Sequence, residues 1–132
     1  MELNDIKTQT VDLDILNPAT GHPTGMVLTL RPKSDPEVKA ISERMVEKRR
    51  AAERRNKPYT IQQDIADSIR IHAACVVGVK WGEVTLNGKQ PKLTPEVAAD
   101  LLERDFIFEQ VSAELQQSAD FFTTSGAPSP KL

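Results

Sequence analysis

The amino-acid sequence predicts a small, mainly α-helical domain of the α+β class with an N-terminal antiparallel β-hairpin. Strict alternation of apolar and polar residues over residues 11–15 indicates a half-buried strand near the N-terminus. Beyond residue 34, three segments begin with helix-capping residues and continue with apolar residues at helical spacing. The 132 residues fit one domain. We place it at residues 1–122, with the hairpin at 10–31 and the helical part at 35–122.

Two alternating segments form the predicted hairpin. The second strand, residues 26–30, carries Met26, Leu28 and Leu30 on one face. Between the strands, residues 17–25 are rich in Pro, Gly and Thr, which is typical of a loop. Two strands alone are marginally stable in water, so we expect their apolar face to pack against helices or another chain.

The first predicted helix begins at a capping sequence. Ser34 is placed to cap the amide of Glu37, and Pro36 falls in the first turn, where its missing N–H costs nothing. The helix then becomes very polar. We expect it to end before Pro58, because a residue that precedes proline avoids the helical conformation.

The second predicted helix begins with a capping box formed by Thr60 and Gln63. Its apolar residues recur along one stripe and predict the main core helix, ending near Gly78. The stripe consists of Ile61, Ile65, Ile69, Ala73 and Val76. Short extended segments follow, with a tight turn at Asn87-Gly88.

A third helix begins at Thr94, which is predicted to cap it, with Pro95 in its first position. We expect a break or kink at Arg104-Asp105. A helical stripe then continues to the end of the domain through Phe108, Val111, Leu115, Ala119 and Phe122.

Both ends of the chain are predicted to lack regular structure. Residues 1–9 are polar, and residues 123–132 are rich in Ser, Pro and Gly, which predicts a disordered tail. The acidic N-terminus has no apolar run of the kind found in secretory signals, and no segment approaches the roughly 20 apolar residues of a membrane span. The single cysteine fits a reducing compartment, so we expect a cytosolic protein with no membrane contact.

Charge is unevenly distributed along the chain. The net charge of −2 argues against a dedicated nucleic-acid binder. However, residues 44–57 carry seven basic and two acidic side chains, whereas residues 96–120 carry seven acidic and one basic. This asymmetry predicts that copies of the chain assemble by setting a basic helix against the acidic last helix of a neighbour. The basic side chains predicted for that contact are Arg49, Arg50, Arg54 and Arg55. A solvated helix end and a phosphate contact are the alternative interpretations.

No catalytic or metal-binding constellation is predicted. Nucleophilic catalysis needs an activated Ser or Cys beside a His, and neither that arrangement nor a phosphate-binding glycine motif occurs. His72 and Cys75 have the spacing of two metal ligands on one helix, but a structural zinc site needs four ligands and His22 is the only other histidine. A partly buried His beside a buried, unreactive Cys is the simpler interpretation. We therefore predict no enzyme, no metal and no cofactor.

Surplus aromatic residues indicate a contact surface. Residues 106–108 are all apolar, and one helix face cannot bury three consecutive side chains. Phe121 stands at the edge of the tail, and the only tryptophan is either a core residue or a binding anchor. The partner-binding side chains predicted on these grounds are Trp81, Phe106, Phe108 and Phe121.

Several segments, in this order, resemble the tail assembly chaperones of long-tailed bacteriophages. The similar stretches are Leu13-Asp14-Ile15-Leu16-Asn17-Pro18-Ala19-Thr20-Gly21, Ser34 to Val38, Val77 to Gly82, Asn87-Gly88-Lys89 and Leu93-Thr94-Pro95-Glu96-Val97. The resemblance spans about residues 11–122. In one departure, Asp105 stands where the family has a proline before its aromatic residue.

The resemblance implies a small, mostly helical protein that acts in the host cytoplasm during tail assembly. Proteins of this family bind the long, hydrophobic tape measure protein, keep it soluble and help to recruit tail tube subunits. Two alternatives stay open at this point. One is a structural tail or head–tail joining protein of the virion, and the other is a small nucleic-acid-binding module that uses residues 44–57.

Overall fold

The computed structural model describes residues 1–124 and has a mixed α+β architecture. The described chain contains four helices and five strands. In chain order they are β1 (Ile6–Thr8), β2 (Val11–Leu16), β3 (Pro23–Leu30), α1 (Pro36–Arg54), α2 (Ile61–Ala74), β4 (Val76–Lys80), α3 (Pro95–Leu102), α4 (Asp105–Gln116) and β5 (Phe122–Thr124).

The predicted N-terminal hairpin is confirmed. Strands β2 and β3 pair antiparallel, with Leu13 opposite Leu28, and a bulge lies between Asp14 and Leu16. Met26, Leu28 and Leu30 are all buried, as their alternation predicts. The connecting loop is shorter than predicted, because β3 already begins at Pro23.

A third strand completes the sheet. Its first three residues, 76–78, were predicted to be helical, whereas Val79 and Lys80 were predicted to be extended. Strand β4 pairs antiparallel with β3, with Val79 opposite Leu28. Helix α2 therefore ends at Ala74, and the prediction that it reaches Gly78 is wrong. Consecutive β-branched residues at Val76-Val77 favour the extended conformation, and β3 offers an open edge that satisfies their backbone.

The two ends of the described part of the chain pair with each other. Strand β1 pairs with β5, with Lys7 opposite Thr123, so the prediction that residues 1–9 have no regular structure is wrong. The amide of Gln9 also donates to the carbonyl of Phe121 at 2.7 Å. The predicted disordered tail begins too early at residue 123, since β5 includes Thr123. Residues 125–132 of that predicted tail lie outside the described residues.

Local capping sequences position the helices as predicted, with one exception. Asp35, rather than Ser34, caps α1 by accepting from the amide of Glu37 at 2.9 Å. The capping box of Thr60 and Gln63 at the start of α2 is confirmed, with both hydrogen bonds present. Thr94 caps α3, and Pro95 follows it as predicted. The tight turn at Asn87-Gly88 is confirmed by positive φ angles at both residues.

The core lies between the three-stranded sheet and helices α2, α3 and α4. Helix α4 begins at Asp105, which confirms the predicted break, but it ends at Gln116, so Ala119 and Phe122 do not extend its stripe. The side-chain amide of Gln110 pairs with the backbone of Leu16, accepting from its N–H at 2.7 Å and donating to its carbonyl at 3.0 Å. This two-fold contact fixes α4 to the edge of the sheet.

Gly82 is expected to be the most sensitive glycine among those with a positive φ. An added Cβ at Gly82, where φ is +59°, would lie 2.7 Å from the carbonyl oxygen of Gly25. At Gly88, where φ is +77°, a Cβ would meet nothing within 4 Å. Gly88→Ala should cost about 1–2 kcal/mol from backbone strain alone, and Gly82→Ala should cost about 1–3 kcal/mol more because the clash adds to the strain. Urea unfolding of both variants measures the difference, and equal losses would contradict the close approach.

Candidate functional site

Two of the four aromatic side chains predicted to bind a partner lie in the core. The Trp81 side chain is 9% exposed, and its indole N–H donates to the carbonyl of Pro91 at 3.1 Å. Phe121 is 0% exposed. Trp81 is therefore a core residue, and neither ring offers a contact surface in this fold. The prediction that Trp81 and Phe121 contact a partner is corrected, because both side chains are buried.

The other two aromatic residues are partly exposed on α4. Ile107 takes the core position, whereas Phe106 and Phe108 are only partly buried. The ring of Phe108 packs against the imidazole of His72, with ring centroids 4.4 Å apart. As expected, one helix face does not bury all three consecutive side chains.

His72 is a buried group of the α2–α4 contact. Its Nδ1 donates to the carbonyl of Ser68 at 2.7 Å, and its Nε2 is buried with no hydrogen-bond partner among the described residues. Burial lowers the pKa of His72, with a smaller opposing effect from the Ser68 hydrogen bond and a further lowering from Lys33. The imidazole is therefore neutral at pH 7, which suits its packing against an aromatic ring.

Cys75 is buried next to the sheet. It is 0% exposed, and its Sγ donates to the carbonyl of Ile71 at 3.5 Å. Burial raises the pKa of the Cys75 thiol to about 11, so the thiolate is scarce at neutral pH. Within residues 1–124, no group of three or more His, Cys, Asp or Glu side chains is placed to hold a metal ion. His72 and Cys75 are thus used by the core, in agreement with the simpler interpretation of their spacing.

The outer half of α2 exposes the apolar stripe that was predicted to be core. Ile61 is 74% exposed and Ile65 is 55% exposed, so their assignment to the core is wrong. Only the inner part of the stripe, at Ile69 and Ala73, packs against other elements. Helix α3 has eight residues against 14 in α2. Its C-terminal end lies beside Gln62 and Ile65 but does not bury the Ile65 side chain.

A groove between α2 and α3 continues this exposed stripe. It encloses about 330 Å³ and is lined by Gln62, Ile65, Ala66, Ile69, Arg70, Ala99 and Glu103. Ile61 lies one helical turn before Ile65 on the same face. We call Ile61 and this groove together the α2 surface. Its apolar centre and polar rim are typical of a site that receives part of another polypeptide.

The four arginines predicted for self-association differ in their surroundings. Arg49 forms an ion pair with Asp64, and its guanidinium lies 5.1 Å from the ring centroid of Tyr59. Arg54 lies 3.7 Å from Glu47. Arg50 and Arg55 form no ion pair within the described chain. The charge available to a neighbouring molecule is therefore smaller than the sequence count of residues 44–57.

Comparisons with known proteins do not indicate a family or a function for this chain. No protein-family model matches the chain, and neither the curated proteins nor the solved structures contain a match. Among residues 1–124, no helix combines the length and the apolar character that crossing a bilayer requires.

The α2 surface is the feature that sequence reasoning missed. An isoleucine repeat at helical spacing predicts burial equally well for both halves of α2. The usable signal was the short distance between the cap at Thr94 and the break at Arg104, which limits α3 to little more than two turns. A long apolar stripe opposite a short helix indicates an uncovered end.

His72 makes the stability of the fold dependent on pH. Because its pKa is lower in the folded than in the unfolded chain, where it is near 6.5, the unfolded chain binds more protons in mildly acidic solution. The free energy of unfolding should fall as the pH drops below about 6.5, by at most about 1.4 kcal/mol per pH unit for this group, and level off below the folded pKa.

Urea unfolding at a series of pH values measures this slope. His72→Gln should reduce the slope of the unfolding free energy against pH between pH 6.5 and the folded pKa of His72. His22→Gln, a change at an exposed loop residue, should leave that slope unchanged. An unchanged slope in His72→Gln would show that other groups cause the pH dependence.

Proposed function

We propose that this chain is a non-enzymatic chaperone of bacteriophage tail assembly. In this role it binds the tape measure protein in the host cytoplasm, keeps it soluble and promotes assembly of tail tube subunits around it. The proposal combines the resemblance over residues 11–122 with the exposed apolar surface on α2.

The observation that carries the proposal is the exposure of Ile61 and Ile65. Two large aliphatic side chains, 74% and 55% exposed, lie one turn apart, and Ile65 also lines the groove between α2 and α3. Exposed apolar area of this kind is stabilised by contact with another apolar surface, at about 25 cal/mol per Å² buried. A soluble chain that holds such a surface open suits the binding of a hydrophobic partner segment.

The chemistry of the buried groups favours action by contact. The thiol of Cys75 is protonated and covered, and the imidazole of His72 is occupied by Ser68 and Phe108. Neither has the exposure that a nucleophile or a general base needs to reach a substrate.

The basic helix supports protein contact better than nucleic-acid contact. Two of its guanidinium groups already bind carboxylates of the same chain, at Asp64 and Glu47. The aromatic ring near these cations, Tyr59, already has the Arg49 guanidinium 5.1 Å from its centroid.

Co-expression with the tape measure protein of the same phage tests the proposal. The wild-type chain should increase the soluble fraction of that protein and co-purify with it. Ile61→Ser/Ile65→Ser should reduce co-purification at least about tenfold, because the loss of two large apolar contacts weakens binding by more than 1.4 kcal/mol.

The matched control is Leu3→Ser/Val46→Ser, which changes two apolar side chains of similar exposure, 76% and 48%, outside the α2 surface. This variant should retain the partner. Both double variants should keep the wild-type urea midpoint, since the four residues are exposed. A wild-type chain that leaves the tape measure protein insoluble would contradict the function, and equal loss in both variants would contradict the surface.

Self-association through charge is a separate part of the proposal. Copies of the chain are expected to associate through the basic segment 44–57 and the acidic segment 96–120 of a neighbour. Sedimentation should give a larger mass at low than at high salt, because screening weakens contacts between exposed charges. Arg54→Glu/Arg55→Glu should abolish that difference, and Lys7→Glu/Lys80→Glu, at exposed positions on other elements, should preserve it. The same mass under all conditions would contradict the assembly.

A further inference from the structure

The turn between α1 and α2 is held rigidly at both ends. At the end of α1, the amide of Lys57 donates to the carbonyl of Ala52 at 2.9 Å, and the amide of Asn56 donates to the carbonyl of Glu53 at 3.0 Å. Asn56 has a φ of 55°, so these bonds form a Schellman motif with the left-handed residue in its usual place. The capping box of α2 begins four residues after Asn56. Side chains on this turn are therefore presented by a fixed backbone.

A cavity opens at this turn on the side facing both helices. It encloses about 250 Å³ and is lined by Lys48, Ala51, Ala52, Arg55, Lys57, Pro58, Tyr59 and Gln63. We call it the basic cup. Its size suits one side chain rather than a folded segment, and its three charged residues are all cationic.

The cations of the basic cup lack an acidic partner within residues 1–124. Lys48, Arg55 and Lys57 form none of the ion pairs in that part of the chain. Their neighbours Arg49 and Arg54 do have carboxylate partners. All three side chains are exposed, so their positive charge is accessible to an anion and attracts it.

Tyr59 gives one wall of the basic cup a fixed orientation. Its hydroxyl donates to a carboxylate oxygen of Asp67 at 2.6 Å, and this hydrogen bond raises the pKa of the Tyr59 phenol. The ring also lies 6.0 Å from the Nζ of Lys48. The aromatic wall is thus held in place, and its hydroxyl is not available to a ligand.

We propose that the basic cup binds an acidic side chain, Asp or Glu, of a partner polypeptide. A carboxylate is attracted by the positive charge of the three cations and neutralises one of them, and the alkyl part of the same side chain fits against Ala51, Ala52 and Pro58. A nucleic acid is disfavoured, because phosphate recognition prefers a continuous basic track and these three cations surround one small cavity.

This site is distinct from the α2 surface. Gln63, which lines the basic cup, is two residues from both Ile61 and Ile65, so it lies about 200° away around the helix. The inference goes beyond the proposed chaperone function and does not depend on the tape measure protein. Arg55 belongs both to the basic cup and to the segment 44–57 proposed for self-association. The binding of a monomeric acidic peptide and the salt dependence of the sedimentation mass are therefore measured separately.

Fluorescence anisotropy tests the basic cup with a defined probe. The probe is a short fluorescein-labelled peptide of alternating glycine and glutamate, compared with a thymidine oligonucleotide of the same charge. The wild-type chain should bind the peptide in a salt-dependent manner. Lys48→Glu/Arg55→Glu/Lys57→Glu should weaken binding at least about tenfold.

The matched control is Lys7→Glu/Lys80→Glu/Lys92→Glu, which changes the net charge equally at exposed lysines of other elements. This variant should keep most of the affinity. In NMR titration, the amide signals of Ala52, Lys57 and Gln63 should shift with the peptide. The neutral variant Lys48→Gln/Arg55→Gln/Lys57→Gln repeats the measurement should charge reversal unfold the chain. No peptide binding, equal loss in both triple variants, shifts elsewhere only, or tighter binding of the oligonucleotide would each overturn the inference.

Discussion

The fold depends on Arg31, which joins the end of strand β3 to two helices. Its backbone amide donates to the carbonyl of Cys75 at 2.8 Å, and its side-chain Nε donates to that of Ala74 at 2.9 Å. These bonds satisfy carbonyls at the C-terminal end of α2, where a helix has no partners of its own. The same guanidinium binds Glu37 at 2.9 Å, in the first turn of α1. One residue therefore sets where α2 stops, where β4 starts and how α1 leaves the sheet.

This junction divides α2 into two functional halves. The inner half packs His72 and Ala73 into the core beside the sheet, whereas the outer half exposes Ile61 and Ile65. Polar contacts join α1 and the turn after it to the outer half of α2. Arg49 of α1 forms an ion pair with Asp64, and the Tyr59 hydroxyl in the turn donates to Asp67. Because polar groups form the α1–α2 contact, the isoleucines of the outer half stay available on the remaining face. Exposed ion pairs contribute little stability, so the end of α1 and the start of α2 depend on the Schellman motif and the capping box for their rigidity.

The sequence could predict the features that depend on neighbouring residues, and it missed those that depend on distant ones. Caps at Thr60 and Thr94, the hairpin faces and the Asn87-Gly88 turn follow from local chemistry and were correct. The extended conformation of Val79 and Lys80 was predicted, but the start of β4 at Val76 and its pairing with β3 were missed, because β3 lies some fifty residues earlier. The pairing of β1 with β5 was missed because it joins the two ends of the described chain, where composition alone predicts disorder. Burial of Phe121 follows from that same pairing, so its assignment to a surface could not have been avoided from the sequence.

The candidate sites also depend on contacts between distant residues, which the sequence alone does not show. An isoleucine at helical spacing indicates an apolar face but not what covers it, and a run of arginines indicates charge but not which charges are already paired. The three-dimensional arrangement shows both, since Ile61 and Ile65 are exposed and, within residues 1–124, Asp64 and Glu47 pair with Arg49 and Arg54 while Lys48, Arg55 and Lys57 form no ion pair. The two surfaces lie on opposite sides of one short helix. Under the two proposals, a partner segment on the α2 surface would leave the basic cup open to an acidic side chain.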